Sequence, residues 1–319
     1  MSHPRHLKES YGLPVFDFPG PDDAGSVSLP DAAAVAWRLR SDCYDGEESW
    51  PEVFARFLAA VDVPRVRAIV VGAWRQAYDT GPEEVVAALL EARDRLTSLR
   101  ALFLGDMESE ECEISWIRQG DVTPLLDGFP ELEEFGVRGG SGLVFPPVAH
   151  RRLRALAVES GGMPAAAVRG VAASELPALE RLDLWLGTAE YGGDCEIGDV
   201  ARILDGDLLP GLRHLGLRNS DIQDEIAAAV ASAPVVARLE SLDLSMGVLT
   251  DDGATALLGG QPLTHLTSLD LHFNYLSEPL RERFREVLEP AGVALDLDPG
   301  HADEDEWDGR VWRFVAVGE

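Results

Sequence analysis

Leu179-Glu180-Arg181-Leu182-Asp183-Leu184, Leu212-Arg213-His214-Leu215-Gly216-Leu217, Leu239-Glu240-Ser241-Leu242-Asp243-Leu244 and Leu266-Thr267-Ser268-Leu269-Asp270-Leu271 are four copies of one phrase, L-x-x-L-x-L. A period near 27 residues decides an architecture before any local reading does. Within each copy apolar and variable residues alternate, which is the period of a strand buried on one face. With the second leucine as anchor, the phrase extends in both directions. Leu153-Leu156-Val158, Leu132-Phe135-Val137, Leu99-Leu102-Leu104 and Val66-Ile69-Val71 fit, with weaker copies at Ala34-Trp37-Leu39 and Gly292-Leu295-Leu297. Ten copies result, and the shortest spacing, 21 residues, separates those starting at 132 and 153.

Between the phrases lie amphipathic stretches of helical spacing. Val85, Val86, Leu89, Leu90 and Leu96 share one face; Val200, Ile203 and Leu204, then Ile222, Ile226 and Val230, then Leu280, Phe284, Val287 and Leu288 repeat the pattern. Thr80-Gly81-Pro82-Glu83 reads as a helix start. Each unit is therefore strand, loop, helix, loop. Such a unit cannot bury its own apolar face, so units must stack.

The phrase and its period resemble helix-containing leucine-rich-repeat proteins of the ribonuclease-inhibitor type. The resemblance implies an α/β solenoid, a horseshoe with a parallel β-sheet on the concave face and helices on the convex face. One departure stands out: the asparagine of that family's turn is present only at Asn219 and Asn274. Domain boundaries follow: 1–33 an N-terminal cap or arm, 34–297 the repeats, and 298–319 an acidic loop and a capping strand over the last repeat. Asp308-Gly309 reads as the turn before that strand, which spans 310–317. Phrases such as Glu113-Ile114-Ser115-Trp116, Val137-Arg138-Gly139-Gly140 and Arg313-Phe314-Val315-Ala316-Val317 further resemble a bacterial leucine-rich-repeat family encoded near radical-SAM and ATP-grasp enzymes. That resemblance implies an accessory role in a biosynthetic or modification pathway.

The charge balance restricts partners. With 27 basic and 56 acidic residues the net charge is -29, which repels phosphate backbones and anionic membranes. No nucleic acid and no membrane partner is expected. No stretch of 18 apolar residues and no secretion signal is present, and three scattered cysteines, Cys43, Cys112 and Cys195, suit a reducing cytoplasm. Lys8 is the sole lysine; the other basic residues are arginines.

Phasing the repeat maps one surface. The column after each last core position reads Arg40, Gly72, Gly105, Arg138, Glu159, Trp185, Arg218, Ser245, His272, Asp298. The column between the core positions ends in Asp183, Gly216, Asp243, Asp270 and Asp296. Arg138, Glu159, Trp185 and Arg218 should stand in one row, about 5 Å apart. An exposed tryptophan between arginines has the composition of an interaction hot spot, although a solvated face of alternating charge would read the same. The aspartates could meet a basic partner or a cation, or could be ordinary solvent-facing residues. Parallel strands spread carboxylates apart, so no metal and no cofactor is expected.

Glycine clusters at 139–142, 160–162 and 192–194, and long loops at 41–49, 105–120 and 185–197, fall on one rim. Glycines there could cradle a small ligand or merely permit tight turns. The three cysteines lie in these loops, in repeats that the numbering separates. No P-loop, G-x-S-x-G or H-E-x-x-H motif exists, and no nucleophile accompanies Asp270 and His272. The expectation is a noncatalytic scaffold that takes a protein or peptide through Arg138, Glu159, Trp185, Arg218, Asp243 and His272. The rival is an enzyme or a small-ligand accessory subunit that uses the glycine-rich rim.

Overall fold

All ten anchors fall in one hydrogen-bonded register. Trp37, Ile69, Leu102, Phe135, Leu156, Leu182, Leu215, Leu242, Leu269 and Leu295 are successive cross-strand partners, and Phe16 adds an eleventh ahead of them. The structure, a computed structural model, describes residues 4–319 except 24, 25, 45, 47, 303 and 308. A 12-stranded sheet runs in chain order. Its strands are β1 (Glu9–Ser10), β2 (Leu13–Asp17), β3 (Ala36–Leu39), β4 (Ala68–Val71), β5 (Ala101–Leu104), β6 (Glu134–Arg138), β7 (Ala155–Glu159), β8 (Arg181–Gly187), β9 (His214–Ser220), β10 (Ser241–Asp243), β11 (Ser268–Asp270) and β12 (Ala294–Asp296). Every pair from β2 to β12 is parallel; only β1 on β2 is antiparallel.

Helices alternate with the strands: α1 (Trp50–Ala60), α2 (Glu83–Glu91), α3 (Pro124–Gly128), α4 (Ala165–Ala172), α5 (Ile197–Asp205), α6 (Gln223–Val230), α7 (Asp251–Gly259) and α8 (Glu278–Leu288). The alternation is consistent with a leucine-rich-repeat-like solenoid. The second and third motif positions point to the helices. Leu39, Val71, Leu104, Val137, Val158, Leu184, Leu217, Leu244 and Leu271 are fully buried, in one apolar core that continues from Ala32 to Leu297. Burying a side chain of this size contributes about 1.5–3 kcal/mol.

Local chemistry sets the helix starts, not always as the sequence suggests. At α1, Ser49 and Glu52 form a capping box, with the Ser49 amide donating to Glu52 Oε2 at 2.7 Å. At α2, Pro82 occupies the cap position, and the Thr80 hydroxyl instead donates to the carbonyls of Arg75 and Gln76. The 21-residue unit is too short for a helix. Between β6 and β7 the chain stays irregular, and buried Leu143 and Phe145 fill the core there. His150 holds this segment, its Nδ1 accepting from the Leu153 amide at 3.0 Å and its Nε2 lying 3.2 Å from the Phe129 carbonyl.

The termini do more than cap the ends. Residues 5–13 cross the face of the sheet opposite the helices. There Leu7, Tyr11, Leu13 and Val15 pack on Ala36, Ala68, Val70 and Ala101. At the other end β13 (Asp305–Trp307) and β14 (Arg310–Trp312) form a separate antiparallel hairpin. The turn residue Asp308 lies outside the described residues. The strand expected over 310–317 ends at Trp312. Val315, Ala316 and Val317 are instead buried at the rim of the middle repeats, where Ala316 donates to the Met246 carbonyl at 2.8 Å. No helix among the described residues is long and apolar enough to cross a membrane.

Candidate functional site

The face of the sheet away from the helices divides into a covered and an uncovered part. Over β3 to β6 the N-terminal arm lies on a buried charge network. Asp106, fully buried, accepts from Arg38 Nε at 2.8 Å, Arg138 Nη1 at 3.3 Å and the Leu7 amide at 3.0 Å. Arg138 also donates to Glu159 Oε2 at 2.7 Å, to the Met107 carbonyl at 2.8 Å and to the Arg5 carbonyl at 3.1 Å. Arg138 and Glu159 are cross-strand neighbours as the phasing requires. The solvent-facing role expected of Arg138 is corrected: the arm buries it to 2% exposure and its donors are spent inside the molecule.

The arm itself is basic and lies on acid. The His6 ring stands 3.5 Å from Asp106 Oδ2 and 3.1 Å from Glu111 Oε2, and the His6 amide donates to Glu108 Oε1. Contact with Asp106, then Glu111, lifts the imidazole to a pKa of about 9 against the opposing effect of burial. Tyr11 completes the seat, its amide donating to Glu134 Oε2 and its hydroxyl to Glu133 Oε2.

At β8 and β9, Trp185 and Arg218 are also cross-strand neighbours, and the guanidinium sits 5.4 Å from the indole centroid. Trp185 is half-buried, packed against the cluster of Ile114, Met246, Ala316 and Val317 that the C-terminal segment completes. It is thus a seat for the chain's own tail rather than a freely exposed anchor. Asn219, also buried, clamps that tail: its Nδ2 donates to Val317 O at 2.6 Å and its Oδ1 accepts from Val317 N at 3.0 Å. Asn274 donates instead to the Leu271 carbonyl within its own turn. The two asparagines occupy different turn positions, two and three residues past the last core leucine.

Apart from the ends of β8 and β9 where the tail sits, the face from β8 to β12 is uncovered and acidic. Asp243, Asp270 and Asp296 are direct cross-strand partners, and Asp183 pairs with Gly216 two strands earlier. Gly216 carries no side chain, and a groove of about 200 Å³ opens beside it, walled by Asp183, Asp243, Asp270, Ser241 and Ser268. Arg218 bridges Asp183 at 3.3 Å and Asp243 at 3.1 Å, and donates to Ser245 Oγ and Met246 Sδ. One guanidinium does not satisfy the group: Asp183 Oδ1 is buried without a hydrogen-bond partner. Burial pushes the Asp183 carboxyl up to about 6 against the pull of Arg218, with Asp243 and Glu159 adding repulsion. Asp243 is raised for the same leading reason. Further along, His272 Nδ1 lies 2.7 Å from Asp270 Oδ1, and Asp270, His272 and Asp296 are the described residues best placed to share a cation.

The chain is similar to a solved Bacteroides fragilis protein. That crystal structure, a target of the Northeast Structural Genomics Consortium, superposes with a TM-score of 0.74 at 27% identity, over 83% of this chain and 72% of the other. No family model and no curated protein matches the sequence. The similarity therefore extends the fold to a second protein and brings no activity with it.

Rim features resolve on inspection of their neighbours. A Cβ on Gly161 would meet the Gly318 carbonyl, one on Gly162 the Tyr191 carbonyl, and one on Gly140 the Gly162 carbonyl. At these three positions the glycines let adjacent loops and the tail close on each other. Cys43 and Cys112, which the numbering separates by two repeats, stand close enough for the thiols to act on each other. The Cys112 thiol draws Cys43 down, and the Cys43 thiol and burial push Cys112 up. Sequence spacing missed this pair because the long loops after β3 and β5 reach past β4. It also missed Asp106, which stands outside the two phased columns.

Proposed function

We propose that this protein is a noncatalytic binding scaffold that takes a basic, extended protein segment across the uncovered acidic face of β8 to β12. The reading treats that face as the concave surface of a leucine-rich-repeat horseshoe. The observation that carries it is the chain's own arm. Arg5, His6 and Lys8 belong to an extended segment that lies across the same face at β3 to β6, seated on Asp106, Glu108 and Glu111. The uncovered ranks repeat the acidic half of that arrangement without the basic half.

The groove beside Gly216 is the recognition point. A lysine or arginine of the partner would enter it and pair with the exposed part of the Asp183 carboxylate. Asp243 and Asp270 add charge from the opposite side of Gly216, and charge-assisted bonds of this kind are roughly twice as strong as neutral ones. Arg218 fixes the two aspartates it bridges, while Trp185 and Glu159 stand outside the groove's lining. His272 lies toward the far end of the same face. Arg138 takes no part in partner contact in this reading.

Fluorescence anisotropy with labelled Arg/Lys-rich and Glu-rich peptides of equal length tests the proposal. The basic peptide alone should bind, more weakly as salt rises. The double substitution Asp183→Asn, Asp243→Asn should weaken it at least about tenfold, equivalent to about 1.4 kcal/mol. Affinity should rise as the pH rises through about 6, because Asp183 ionises there and a cationic partner favours the ionised form. Binding that ignores the two substitutions, or that fails to distinguish the peptides, would sink the assignment.

A further inference from the structure

We propose that Asp270, His272 and Asp296 form a binding site for one divalent transition-metal ion of the zinc class, at the C-terminal end of the sheet. The site goes beyond the basic-segment reading and does not depend on it. Asp270 and His272 are two residues apart in one extended stretch and therefore face the same side. Asp296 is the cross-strand partner of Asp270 on β12. Each of the three offers one donor atom, and these atoms lie within 4.8 Å of one another. An ion with donors at about 2.0–2.2 Å spans roughly 4 Å, so a small rotation of exposed Asp296 completes the closure.

The hydrogen bonding prepares the imidazole for this role. Asp270 Oδ1 accepts both the His272 amide, at 2.9 Å, and the ring Nδ1–H, at 2.7 Å. A divalent ion would displace that shared proton and take Nδ1 and a carboxylate oxygen of Asp270 as adjacent ligands, which stand about 3 Å apart around zinc. Phe273, at φ +53°, donates its amide to the Asp298 carbonyl at 2.7 Å. Asp298 and His301 line the same cleft of about 400 Å³.

Charge separates this end of the row from the groove beside Gly216. Arg218 pairs with Asp183 and Asp243, whereas among the described residues no arginine or lysine comes within ion-pair distance of Asp270, Asp296 or Asp298. Arg218 acts on Asp270 only through its longer-range field. Mixed nitrogen and oxygen donors select zinc and its transition-metal neighbours, since calcium and magnesium prefer oxygen alone.

Calorimetric titration of the full chain with Zn²⁺, without peptide and under reducing conditions, tests the site. One ion per chain is expected, with binding at least tenfold weaker in His272→Gln and in Asp296→Asn and unchanged in Asp243→Asn. Asp296 is exposed on the last strand, so its substitution leaves folding intact, which circular dichroism checks. Cobalt(II) absorption reports the donor set directly. No saturable binding, binding that both substitutions leave unchanged, or a thiolate-to-cobalt charge-transfer band would each overturn the proposal. Loss of peptide binding with zinc binding retained would instead count against the basic-segment reading alone.

Discussion

Asp106 is fully buried, and two guanidiniums, Arg38 and Arg138, converge on it. Buried charges persist only when paired and hydrogen-bonded, and removing one partner leaves the others stranded in a poorly polarisable interior. Asp106→Ala should therefore cost about 3–5 kcal/mol in denaturant unfolding, far more than loss of an exposed carboxylate. A loss below about 1 kcal/mol would mean that water reaches the network. The same reasoning explains why the row of Arg138, Glu159, Trp185 and Arg218 was only half legible. Strand alternation places these residues side by side, and the register agrees. Whether each one meets solvent depends on the arm and the tail, segments more than a hundred residues away in sequence from the side chains they cover.

Among the elements, the arm has the clearest pH signature. His6 gains acidic neighbours on folding, so its pKa rises from the usual 6.5 to about 9. The stabilisation is complete below pH 6.5 and is lost as the pH climbs through about 9. Asp106, Glu108, Glu111 and the guanidiniums of Arg38 and Arg138 are the charged groups around the ring's segment. Protection of the Leu7 and Tyr11 amides against hydrogen exchange, corrected for intrinsic rates, should fall across pH 7–10. A His6→Gln arm should show a flat profile, and equal slopes in both proteins would remove His6 as the cause. The helices α2, α5, α6 and α8 were legible from apolar spacing, whereas α1, α4 and α7 were not read from it. The helix-free unit between β6 and β7 needed the structure, because Phe145 and Leu143 fill by tertiary packing what no periodic stripe announces.

At the scale of the whole molecule, a net charge of -29 opposes a compact state. Added salt should raise the unfolding temperature while it weakens the binding of a basic peptide, because it screens repulsion within the chain and attraction to the ligand alike. A melting point that does not rise between low and physiological ionic strength would place the dominant repulsion out of the reach of screening. The sequence alone determined the stack: leucines at a fixed phase must share a register, because a one-residue slip would turn each buried side chain to the other face. It also determined which residues line the face opposite the helices, since alternation leaves no choice. Only the tertiary structure decided how much of that face is free. The arm and the tail carry no repeat, and their positions follow from where a few buried groups, Asp106 and Asn219 foremost, find their missing partners.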